Sequence, residues 1–78
     1  LGEAAVGAVG LSPRELDCLK WSARGKTYDE IGTILGIKRT SVKTYLDHCR
    51  HKLHSTSLQQ ATARAVADGW IAPKDLND

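Results

Sequence analysis

Seventy-eight residues at 41% hydrophobic composition, with no Phe, no Met and two Trp, build one compact core, a size that disfavours a self-contained enzyme with a buried pocket. Such a size suits a binding module cut from a longer protein. The net charge of +2 is modest, yet five basic residues stand against one acidic residue between Lys38 and His54, a local +4, and such a stripe matters more to a polyanion than the total does.

Residues 1–10 are rich in Ala and Gly and lack helical periodicity, so they read as a linker remnant ahead of a domain over residues 11–71. Pro13 starts the first expected helix, with Ser12 as N-cap and Glu15 closing a capping box. Leu16, Leu19 and Ala23 give one apolar stripe with Cys18 beside it, and Gly25 stops the helix. The second helix is expected over Tyr28 to Leu35, capped by Thr27 with Glu30. Its Ile31, Ile34 and Leu35 are expected to face inward. Gly32 is a costly choice inside a helix and implies a close crossing there. Gly36 ends the helix and Ile37 plugs the turn into the core.

A third helix is expected from Arg39 to Leu53, about 22 Å long. Val42, Leu46, Cys49 and Leu53 form its buried seam. Arg39, Thr40, Lys43, Thr44, Asp47, Arg50 and His51 occupy the opposite face. After the polar break Ser55-Thr56-Ser57, a fourth helix is expected from Leu58 to Asp68, capped by Ser57 and stopped by Gly69. Trp70 then packs back on its last turn. Pro73 opens an acidic C-terminal tail within residues 72–78. The fold class expected is all-α with four helices.

A short capped helix, a tight glycine turn and a basic-fronted helix make a helix-turn-helix, a unit that sets its second helix into the DNA major groove. Such a helix needs a buried face, positive charge near phosphates, and donors near its N-terminus for base edges. Lys43, Thr44 and Asp47 are the candidate base contacts. Lys43 offers donors to guanine O6 and N7, Thr44 a hydroxyl or a methyl, and Asp47 an acceptor for cytosine N4 or a partner for Arg50 or His51. Lys26, Thr27, Lys38, Arg39, Thr40, Tyr45 and Arg50 are the candidate backbone contacts, Thr27 with the added advantage of a helix N-terminus.

Cys18 and Cys49 are too few for a disulfide framework or a zinc site. Both fall at apolar helical positions, which fits reduced, buried thiols in a cytoplasm. No apolar run has membrane-spanning length, and the start lacks the basic flank of a secretion signal. His48, His51 and His54 recur every third residue, but no fourth ligand accompanies them and no metal is expected. No nucleophile–base pair, paired carboxylates or phosphate-binding glycine loop is present, so neither catalysis nor a cofactor is expected.

Leu11-Ser12-Pro13-Arg14-Glu15, Leu19, Trp21 through Thr27, Glu30-Ile31, Ile34 through Ile37, Val42-Lys43, Gln60-Ala61 and Gly69-Trp70-Ile71 together resemble the LuxR-type helix-turn-helix. Trp21 and the Gly25-Lys26-Thr27 box look more like quorum-sensing regulators than two-component response regulators. The resemblance implies a four-helix DNA-binding domain at the C-terminus of a transcription factor whose N-terminal domain binds an acyl-homoserine lactone. It implies base reading by Lys43 and, one turn on, Asp47. It also implies a homodimer through the fourth helix on a palindromic duplex, with Thr62 and Val66 as candidate contacts and RNA polymerase as a further candidate partner. Most of the alanines at 61, 63, 65 and 67 are expected to pack on helices 1 and 3. The chain departs from the family pattern at Lys38, where Ser or Thr usually caps, at Ser41 for Thr, at Tyr45 for His, and at Asp47, a position often basic or amide. Asp47 and the modest total charge motivate an alternative, a helix-turn-helix that sequesters a related regulator without strong DNA binding. A sigma-factor promoter domain shares part of the pattern but not the Trp21 box or the ending of the fourth helix.

Overall fold

The computed structural model describes residues 10–76, so the linker remnant lies almost wholly outside the described residues. Four helices follow in order: α1 (Pro13–Ala23), α2 (Tyr28–Leu35), α3 (Arg39–Lys52) and α4 (Leu58–Ala67), closed by a 3₁₀ turn at Pro73–Leu76. There is no strand among the described residues. The fold is all-α, as the hydrophobic periodicity predicts.

The caps set the helix boundaries. The Ser12 hydroxyl accepts the Glu15 N–H at 3.2 Å while the Glu15 carboxylate accepts the Ser12 N–H at 2.8 Å. Thr27 and Glu30 repeat the arrangement at 3.1 and 2.8 Å. Each box satisfies two backbone donors that a helix start leaves open. Ser57 caps α4 through the Gln60 N–H. Lys38 precedes α3 with no side-chain cap bond, as expected from its ammonium, which has no acceptor.

α3 is the central element and packs against α1, α2 and α4. Its Val42, Leu46 and Cys49 are fully buried and Leu53 nearly so, the expected seam. Leu19 and Cys18 of α1, Ile31 of α2, Ala61 and Ala65 of α4, and Ile71 complete the core. Each fully buried Leu or Ile contributes about 1.5–3 kcal/mol. α4 ends in a Schellman motif: the Trp70 N–H reaches the Ala65 carbonyl at 2.8 Å and Gly69 carries φ +86°.

Four differences from the sequence reading have physical causes. Ile34 is 45% exposed. The covered arc of α2 runs from Ile31 through Leu35 and Tyr28 to Gly32, and at about 100° per residue Ile34 lies some 60° beyond its edge. Gly32 does mark a close approach, but the neighbour is the turn: an added Cβ would stand 2.7 Å from the Ile37 carbonyl oxygen. Of the four alanines on α4, Ala61 and Ala65 are buried, whereas Ala63 and Ala67 are exposed, because one helix face repeats every three or four residues rather than every two. Residues 72–76 are held against α1: Arg24 Nε donates to the Asp75 carbonyl at 2.7 Å, Lys20 lies 3.8 Å from the Asp75 carboxylate, and Leu76 packs on the core.

Candidate nucleic-acid interface

α3 buries the Val42–Leu46–Cys49 side and turns its other side outward. Arg39, Thr40, Lys43, Thr44 and His51 are exposed, with Asp47 and Arg50 half-buried on the flank. The three candidate base contacts therefore share one outward strip. The Thr44 hydroxyl donates to the Thr40 carbonyl at 3.0 Å. This commits the donor to the helix and leaves the methyl and the oxygen lone pairs facing out.

Asp47 sits between two cations. Its Oδ2 lies 3.5 Å from Lys43 Nζ, and its Oδ1 accepts from an Arg50 guanidinium nitrogen at 3.2 Å. The Arg50 hydrogen bond, together with the Lys43 charge, holds the Asp47 carboxyl below the ordinary aspartate value, against a smaller opposing effect of desolvation. The carboxylate is ionised and has a cation at each oxygen.

The first turns of α2 and α3 meet. Arg39 reaches Asp29 at 3.4 Å, an exposed pair between the two helix starts. Within α2, the capping box occupies the N–H groups of Thr27 and Glu30. The donors that a helix start leaves unpaired are then those of Tyr28 and Asp29. Lys38 and Arg39 border the cleft at the α2–α3 turn, whereas Lys26 lines a separate hollow with Asp29, Glu30 and Ile34. Tyr45 is half-buried, packs on the core, and shares a shallow hollow with Thr40, Ser41 and Thr44. On α4, Thr62 and Val66 are half-buried. Thr62 lines a groove between α4 and the end of α1, and Val66 packs on the core.

A buried carboxylate missed by pattern reading fixes α3 in place. Glu15 is only 4% exposed. Its Oε1 accepts from Lys52 Nζ at 2.8 Å and its Oε2 lies 3.2 Å from His48 Nδ1. Lys52 also donates to the Gly10 carbonyl at 3.3 Å, and the Cys49 thiol donates to the Glu15 carbonyl at 3.3 Å. Desolvation pushes the Glu15 carboxyl up, but the Lys52 ammonium and the Ser12 donors outweigh it, so its pKa lies below the usual value. The capping-box pattern accounts for Glu15 locally and hides this second task. The one available signal was His48 and Lys52 recurring at i, i+4 on α3.

A second missed feature is His54, which carries φ +51° just past α3. The Ser55 N–H reaches the Arg50 carbonyl at 2.8 Å, so α3 closes with the glycine-type cap on a histidine.

None of the described helices is long and apolar enough to cross a membrane. Residues 9–65 match the GerE family, described as bacterial regulatory proteins, luxR family. The chain is 48% identical over 61 residues to the HTH-type quorum sensing-dependent transcriptional regulator VjbR of Brucella abortus, covering 78% of this chain and 24% of that protein. It is 40% identical over 63 residues to the transcriptional activator protein AhyR of Aeromonas hydrophila, covering 81% and 24%. It is 38% identical over 63 residues to the transcriptional activator protein VanR of Vibrio anguillarum, covering 81% and 26%. These relatives are transcriptional regulators, and the chain spans about a quarter of their length. The capped helix pair, the outward basic strip and the match over most of the chain lead to one assignment: the chain belongs to the LuxR family of bacterial regulatory proteins and forms its DNA-binding regulatory helix-turn-helix domain.

Proposed function

We propose that the chain binds duplex DNA sequence-specifically, with α3 in the major groove, as the C-terminal part of a dimeric quorum-sensing regulator in the cytoplasm. The observation that carries this reading is the outward strip of α3, where Arg39, Thr40, Lys43 and Thr44 stand exposed beside the buried Val42–Leu46–Cys49 seam. Lys43 donates to guanine, Thr44 offers its methyl to thymine, and Asp47 stands one turn on. Lys26, Thr27, Lys38, Arg39, Thr40, Tyr45 and Arg50 hold the phosphates, with the meeting of Arg39 and Asp29 drawing both helix starts toward one strand.

Two copies pair through α4, using Thr62 and Val66, and read the halves of a palindrome about one helical turn apart. An upstream domain, outside the matched quarter of the relatives, supplies signal binding, and RNA polymerase is the partner for activation.

Selection of bound sites from random duplexes, followed by a shift assay at two salt concentrations, tests the reading. A palindromic consensus with affinity that falls steeply with salt supports it. No duplex shift at low salt, with stable capture of a related regulator instead, overturns it in favour of a protein-interaction module.

A further inference from the structure

The reading strip of α3 carries an acidic residue where a phosphate-rich partner must approach, and its geometry gives that residue a use. Each carboxylate oxygen of Asp47 faces a cation, one Lys43 at 3.5 Å and the other Arg50 at 3.2 Å. Lys43 is otherwise an exposed side chain on a flexible stem. Pairing draws its ammonium along the helix toward Asp47. It also removes one unit of positive charge from the face that meets DNA.

We infer that Asp47 is a specificity-determining positioning residue: it restrains Lys43 and Arg50 and penalises every duplex that does not offer Lys43 a matched base. The inference rests on the DNA-binding reading above. On a mismatched duplex, Lys43 reaches a phosphate only by swinging off Asp47, which then faces the backbone with Arg50 as its one cation. On a matched duplex, guanine O6 and N7 take the ammonium where its pair with Asp47 already holds it, so the carboxylate keeps both cations. Each Asp47 oxygen keeps a free lone pair, so direct acceptance from a cytosine amino group is the competing role that the Lys43→Ala background separates from action through Lys43.

The test compares the chain with Asp47→Asn, Asp47→Glu, Lys43→Ala and the Lys43→Ala/Asp47→Asn double variant. Each binds the duplex selected by the parent chain and a scrambled duplex of equal composition, at roughly 50 and 200 mM salt. Asp47→Asn is expected to tighten the scrambled duplex about tenfold, to steepen its salt slope by about one counterion, and to change the selected duplex less than about threefold. Asp47→Glu is expected to keep most of the discrimination. In the Lys43→Ala background the Asp47→Asn effect on discrimination is expected to shrink, which a merely structural role would not produce. Unchanged discrimination in Asp47→Asn overturns the inference. So does a loss confined to one cytosine that persists without Lys43. A parent chain that binds no duplex overturns the DNA-binding reading and this inference with it, whereas a discriminating parent with an equally discriminating Asp47→Asn overturns the inference alone.

Discussion

The Cα of Gly32 faces the Ile37 carbonyl so closely that a Cβ would stand 2.7 Å from that oxygen, and the Ile37 N–H in turn donates to the Gly32 carbonyl at 2.9 Å. Backbone meets backbone here, so neither side can turn aside. Gly32→Ala gains about 1 kcal/mol of helix propensity but forces α2 away from the turn. A net loss of about 1–2 kcal/mol is expected in urea unfolding. Exposed Thr33→Ala, one residue on, serves as the control and is expected to stay within about 0.5 kcal/mol.

Glu15 joins the start of α1 to the last turns of α3 through Lys52 and His48. Its folded pKa is depressed, so its contribution is whole above the ordinary glutamate value of about 4.3 and is lost as pH falls through the folded value. Glu15→Gln is expected to cost about 2 kcal/mol at neutral pH and to flatten the acid limb of the stability curve. An acid limb as steep as the parent's would assign that dependence to other carboxylates.

His54 holds a left-handed backbone at φ +51°, a conformation that costs a side-chain-bearing residue about 1–2 kcal/mol. Glycine removes that strain while adding freedom to the unfolded chain. His54→Gly is expected to stabilise the domain by about 0.5–1 kcal/mol, read as a rise of a few degrees in Tm.

Burial pushes the Cys18 thiol up to about 11 and the Cys49 thiol up to about 12. At pH 8 about one Cys18 in a thousand is thiolate even before access is considered. Alkylation is expected to be slow in the folded domain and fast in denaturant, with rates that follow the unfolding equilibrium. Rapid labelling of the folded domain would contradict the buried positions of both thiols.

Caps and period carried most of the fold in plain view. Ser12-x-x-Glu15 and Thr27-x-x-Glu30 place two helix starts, and Val42, Leu46, Cys49 and Leu53 trace the seam of α3. The outward strip follows from that seam by elimination, which is why Lys43, Thr44 and Asp47 were legible together. What the sequence hides is long-range. Glu15 meets residues 33 and 37 positions away, and no local pattern encodes that meeting. Ile34 has the apolar character of a core residue but lies past the edge of the arc of α2 that its neighbours cover, and where that arc ends is set by packing. His54 takes a glycine's place at a cap, so composition gives no warning of it.

The proposed function depends on the outward strip of α3 meeting DNA. An NMR titration of the labelled chain with its selected duplex tests it residue by residue. The largest amide and side-chain shifts are expected at Arg39, Thr40, Lys43, Thr44 and Asp47, with smaller ones at Thr27 and Tyr28, and little change at Ala61 or Ala65. Shifts gathered on α4 while Lys43 and Thr44 stay fixed would contradict it.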